Sequence, residues 1–122
     1  MNLVSSVLHN RLDINMMLQC DVTIIYVRGA IFPFTDESEH ERFRLAYCTY
    51  NTPALPPGPI CNPSSAAVRA ALNPADSSYI FFITDDFHDF YFGETWDDHL
   101  ANLAAAYIRN QERAEALAES GG

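Results

Sequence analysis

Two short stretches of this sequence place groups that could do chemistry side by side: Gln19-Cys20-Asp21 and Tyr50-Asn51. Asp21 could serve as a general acid or base, since a carboxyl group exchanges protons with a substrate when its surroundings tune its pKa. It is the best placed of the carboxylates, adjoining Gln19 and preceding an apolar run; the competing reading is a carboxylate that caps backbone amides there. Asp13, Glu94 and the group Asp85, Asp86 and Asp89 are the alternatives. That group has the composition of a hairpin turn, and Glu94 that of an exposed charge ahead of a helix. Arg11, Gln19, Tyr50 and Asn51 add donors, acceptors and an aromatic face. Arg11 equally suits a helix-terminal cation paired with Asp13 or Asp21. His9, His40, His88 and His99, with Cys20, Cys48 and Cys61, include zinc-ligand types, but no pair has CxxC or HxxxH spacing, so no metal is expected.

The elements that must position these groups follow from periodicity. Leu3, Val4, Val7, Leu8 and Leu12 recur at helical spacing, and Asp13-Ile14-Asn15 breaks the helix because Asp and Asn side chains compete for backbone groups. Val22–Val27 is β-branched and aromatic throughout and predicts a buried strand ended by Gly29. The charge cluster Asp36–Glu41 predicts a solvated loop or short helix ahead of Phe43 and Leu45. Residues 47–63 hold five of the seven prolines, which exclude helix and central strand. Tyr47, Tyr50, Leu55 and Ile60 make this an ordered loop packed on the domain rather than a linker. Asn62-Pro63 predicts the start of a short helix through Leu72. Tyr79–Thr84 and Asp89–Phe92 predict a hairpin. Thr95 with Asp98 predicts a capping box opening a final helix whose apolar face is Leu100, Leu103, Ala104, Tyr107 and Ile108. The expected fold class is α+β: a small mixed or antiparallel sheet flanked by about three helices, with the proline-rich loop wrapped on it.

The 122 residues make one domain, and 48% hydrophobic content excludes a disordered chain. Seven Lys and Arg against sixteen Asp and Glu leave a net charge of −9, so no nucleic-acid partner is expected. No stretch reaches the ~20 apolar residues of a membrane span, and the N-terminus has no secretory signal, so the chain by itself would be cytoplasmic. Three widely spaced cysteines suggest no disulfide framework.

From Asn10-Arg11-Leu12 to about Leu103 the order of motifs resembles the catalytic domain of the YceG-like family, the endolytic murein transglycosylases of bacteria. The matching blocks are Asn10-Arg11-Leu12, Met17 to Tyr26, Tyr47-Cys48-Thr49-Tyr50, Leu55 to Ile60, Asn62-Pro63, Ala70 to Ala75, Tyr79 to Phe82, and Thr95 with His99. The resemblance implies residues 1–108 as the C-terminal portion of that domain, with 109–122 as a polar helical tail. It departs where Cys20 replaces a serine, Val22 a proline, Cys48 an asparagine, and Ala54 and Ser64 glycines. It also implies a catalytic Glu on a helix upstream of Asn10, whereas the first Glu of this chain is Glu37. The expectation is therefore glycan-strand cleavage by the family, with this chain inactive as it stands and Asp21 only a weak substitute acid. The alternative is a non-catalytic glycan-binding or structural module.

In such a site Arg11, Gln19, Asp21, Tyr50 and Asn51 would contact N-acetyl sugars. No cofactor is implied, and the absence of any lysine rules out a pyridoxal-phosphate enzyme. The resemblance further implies peptidoglycan strands as partner and the cell-wall synthesis machinery beside them. It places the family at the outer face of the cytoplasmic membrane, held by an N-terminal anchor this chain does not show.

Overall fold

The computed structural model describes residues 1–121. Its elements run α1 (Asn2–Asp13), α2 (Val22–Tyr26), a π-helical turn (Val27–Ile31), two 3₁₀ turns (Phe32–Phe34 and Glu37–Glu39), α3 (His40–Tyr47), α4 (Ser65–Leu72), β1 (Phe81–Thr84), β2 (Phe90–Gly93) and α5 (Trp96–Ser120). This is an α+β fold. Its one sheet, among the described residues, is an antiparallel pair in which Phe81 faces Gly93 and Thr84 faces Phe90.

The chain divides into two compact units, residues 1–10 with 73–122, and residues 11–72. In the first unit the aromatic hairpin is covered by α5, which buries Ala106 against it and stacks His99 on Phe81 at 5.0 Å. The first turns of α1 join this unit through long-range hydrogen bonds. The Ala75 amide donates to the Asn2 carbonyl at 3.0 Å, Ser6 and Ser77 share a hydroxyl bond at 2.6 Å, and Asn10 Nδ2 donates to the Ser77 and Tyr79 carbonyls at 2.8 and 2.9 Å. Thr95 and Asp98 close the capping box reciprocally. Gly93 lies directly behind it: a Cβ there would stand 3.0 Å from Asp98 Cβ and 3.3 Å from the His99 amide nitrogen. Neither neighbour can retreat without opening the cap. Gly93→Ala is therefore expected to cost about 1–2 kcal/mol in a urea unfolding curve, the range typical of overpacking.

The second unit overturns one sequence expectation. Val22–Val27 is not a strand but α2 and the beginning of the π turn. Burial there follows a helical rather than alternating period: Thr23 and Val27, four apart, are buried, while Val22 and Ile25 are more than half exposed. β-branched composition is a weak prior that packing overrides. Thr23 Oγ1 donates to the Cys20 carbonyl, and the Ile24 and Ile25 amides to the Asp21 carbonyl, which starts the helix. Tyr26 and Tyr47 then pack ring to ring at 5.8 Å.

The charge cluster forms the second 3₁₀ turn, capped by Asp36 on the Ser38 amide, and leads into α3. Residues 48–64 form neither helix nor strand. The helix expected from Asn62-Pro63 begins later, at Ser65, because the Ser64 hydroxyl accepts the Ala67 amide at 3.1 Å and takes the capping role. The first hairpin strand is two residues shorter than expected and the second is displaced by one residue to Phe90–Gly93, and among the described residues five α-helices replace about three.

Candidate functional site

The residues singled out from the sequence gather in the second unit, around the turn between α1 and α2. Arg11 ends α1 with only 7% of its surface exposed. Its Nη1 donates to the carbonyls of Met17 and Leu18 at 2.9 and 3.1 Å and to Gln19 Oε1 at 3.4 Å. Burial pulls its pKa below the usual arginine value, opposed by the neighbouring Cys20 and Tyr50. The guanidinium thus gathers in the 17–19 turn, with backbone carbonyls as its partners.

Gln19 adopts a left-handed backbone, φ 53°, which turns the chain towards Asp21. That turn is bolted to the loop after α3. The Gln19 amide donates to the Thr49 carbonyl at 3.0 Å, the Cys20 amide to Thr49 Oγ1 at 2.9 Å, and the Thr49 hydroxyl reaches the Cys20 carbonyl at 3.2 Å. Thr49 is 2% exposed and is the hinge pin of the corner. Sequence reasoning gave it no role. The available signal was the block Tyr47-Cys48-Thr49-Tyr50, whose small hydroxyl stands between two aromatics.

On this frame Tyr50 Oη donates to Asp21 Oδ1 at 2.5 Å, both residues being exposed. The bond to Asp21 raises the Tyr50 pKa, so the phenol holds its proton. Asp21 does not cap α2 with its side chain; its carboxylate serves the tyrosine instead. Asn51 follows in the same turn, exposed, its amide donating to the Cys48 carbonyl at 3.3 Å. Burial raises the Cys20 thiol above its usual pKa, which leaves it a poor nucleophile. The corner therefore presents an amide, a carboxylate-bound phenol and a second amide to solvent, a set suited to hydroxyl and acetamido groups.

Of the other carboxylates named from the sequence, Asp85 and Asp89 serve structure. Asp85 is fully withdrawn from solvent; its Oδ1 accepts the Phe87 and Asp89 amides at 2.9 and 3.0 Å, and its Oδ2 accepts Tyr91 Oη at 2.8 Å. Arg109 stands 3.5 Å from Asp85 and 2.6 Å from Asp89. Glu94 precedes α5 in an exposed position. Among the described residues no three of His, Cys, Asp or Glu gather as a metal ion would require, and no helix is long and apolar enough to cross a membrane.

An endolytic murein transglycosylase of Bacillus subtilis is 32% identical over 98 residues, 79% of this chain and 26% of that protein. One from Streptococcus pneumoniae is 29% identical over 107 residues, 84% of this chain and 19% of its own length. The crystal structure of a YceG-like protein from Listeria monocytogenes superposes with a TM-score of 0.68 at 33% identity, covering 82% of this chain and 33% of that one. The chain thus spans between a fifth and a third of the length of these proteins. Residues 1–105 match the YceG-like family, and the chain belongs to it.

Proposed function

We propose that this chain forms a glycan-contacting part of an endolytic murein transglycosylase, and that these 122 residues by themselves engage peptidoglycan strands without cleaving them. The observation that carries the reading is the likeness to the B. subtilis transglycosylase over 79% of the chain, together with the family match over residues 1–105, which includes the Arg11–Tyr50 corner. Gln19, Asp21, Tyr50 and Asn51 provide the sugar contacts, and Arg11 holds the turn that presents them.

Cleavage of a glycosidic bond needs a carboxylic acid poised to protonate the leaving oxygen, which is worth about 10²–10⁴-fold in rate. Asp21 accepts a proton-bearing phenol, and Asp85 accepts three hydrogen bonds away from solvent. Neither is placed as a donor to a sugar oxygen. Purified sacculi incubated with the chain should release no 1,6-anhydro-muropeptides, while the chain co-sediments with them and Tyr50→Ala weakens that sedimentation. Anhydro products that vanish with Asp21→Asn would overturn the assignment and make Asp21 the acid.

A further inference from the structure

The sequence pointed to Leu100, Leu103, Ala104, Tyr107 and Ile108 as the packed face of α5. The structure turns most of them outward. The face against the hairpin is His99, Asn102, Ala106, Arg109 and Arg113: Asn102 donates to the Phe92 carbonyl, Arg109 pairs with Asp85 and Asp89, and Arg113 donates to the Asp86 carbonyl. Both arginines also lie over the Phe87 ring.

Two consequences follow for the opposite face. First, Trp96, Leu100, Ala104 and Tyr107, at intervals of four, four and three residues, form an apolar strip along one side of the helix, with Ile108 beside it and with Trp96 at the hairpin end, its ring 5.8 Å from Phe81 and 5.5 Å from His99. Trp96, Tyr107 and Ile108 are each more than half exposed, and Leu100 is 46% exposed. Second, because the helix's two arginines are spent on the hairpin, the charged residues of α5 in the exposed class are all carboxylates: Asp97, Asp98, Glu112, Glu115 and Glu119. At 100° per residue, Asp97, Glu112, Glu115 and Glu119 share one side of the helix, Asp97 beside the strip and the glutamates continuing its edge beyond Ile108. α5 also continues well past residue 105, where the family match ends.

We infer that the outward face of α5 is a docking surface for a basic amphipathic helix of a partner protein, its apolar side on the Trp96–Tyr107 strip and its Lys or Arg residues against the acidic edge. Charge decides the occupant. A second copy would bring acidic edge to acidic edge between two chains of net charge −9. An anionic lipid surface would be repelled in the same way. Aromatic side chains supply the desolvated anchors such an interface needs.

Trp96 is the only tryptophan of the chain and reports on the strip directly. The probe is a helical peptide of about eighteen residues with leucine on one face and lysine on the other, and its control is the same peptide with glutamate for lysine. Titrated into the full chain, the lysine peptide should shift Trp96 emission to the blue and saturate with a Kd on the order of 10 μM. Raising salt from about 0.05 to about 0.5 M should weaken it several-fold. Tyr107→Ser with Ile108→Ser should lower affinity more than tenfold without changing the circular dichroism spectrum, because both side chains are exposed. Glu112→Gln with Glu115→Gln should weaken the lysine peptide about threefold or more. Equal binding of the glutamate peptide, or undiminished binding by the Tyr107→Ser, Ile108→Ser chain, would overturn the inference. So would sedimentation of the chain alone as a dimer with its Trp96 emission already blue-shifted, which makes a second copy the occupant.

Discussion

Arg11→Met should lower the stability of the chain by about 3 kcal/mol in urea denaturation, because the substitution strips several acceptors of their donor at once. The carbonyls of Met17 and Leu18 and the amide oxygen of Gln19 all receive hydrogens from Nη1. An acceptor left unpaired away from water costs about 1–3 kcal/mol, and methionine fills the space without donating. Arg11→Lys should recover only part of the loss, since an ammonium is more strongly hydrated than a guanidinium and costs more to bury at this site. The effect should also be local. With the 17–19 turn released, the amide of Gln19 and the hydroxyl of Thr49 lose their fixed partners, so hydrogen exchange at Gln19 and Cys20 should rise before global unfolding. Sedimentation with sacculi should fall with it even at temperatures where the chain remains folded. Unchanged exchange at those amides would remove Arg11 from its positioning role.

Asp85→Asn should lower the Tm at pH 7 by roughly 5–10 °C and flatten its acid dependence. Burial alone would push the Asp85 pKa up, but the hydrogen bonds from Tyr91, Asp89 and Phe87, with the Arg109 charge, outweigh it and hold the group below its ordinary value. A carboxylate depressed in the folded state contributes stability that is complete above the ordinary aspartate pKa of 3.8 and is lost as the pH falls below that toward the depressed value. The parent chain should therefore lose hairpin stability below about pH 4, and the Asp85→Asn chain should show a smaller loss over the same window. The amide substitution presents an NH₂ where Tyr91 or a backbone amide expects an acceptor, which accounts for the penalty at neutral pH. Thermal melts of both chains between about pH 7 and about pH 3 read the difference, in which the other carboxylates cancel.

Much of the first unit is legible without coordinates. Thr95 and Asp98 carry a local signal, the capping box, that depends on nothing distant. The aromatic and β-branched runs Tyr79–Thr84 and Asp89–Phe92 on either side of Asp85-Asp86 likewise announce a hairpin, and Asp85 fills the turn role expected of it. Val22–Val27 goes the other way, because its composition favours a strand while the deciding facts are tertiary: which of those β-branched side chains would be buried, and where Thr49 would pin Cys20. The Asp21–Tyr50 bond joins residues 29 apart in sequence and can be approached only through the family resemblance. The inward turn of Arg109 and Arg113 is equally invisible, since each needs the carbonyls and carboxylates of a loop twenty or more residues earlier.

The bonds between the start of α1 and residues 75–79 also govern how the chain reaches its fold. Ser6 and Ser77 meet across 71 residues, and Asn10 and Tyr79 across 69. Residues 11–72, which lie between them, form a compact unit of their own. A twelve-residue helix is marginal in water, so the first turns of α1 depend on their bonds to residues 75–79. Synthesis at about 5–20 residues per second makes those turns wait several seconds for residues 75–79. Prior collapse of residues 11–72 shortens the effective loop that must close and so reduces its entropy cost. Topology therefore favours an order in which residues 11–72 collapse before the bonds between α1 and residues 75–79 close.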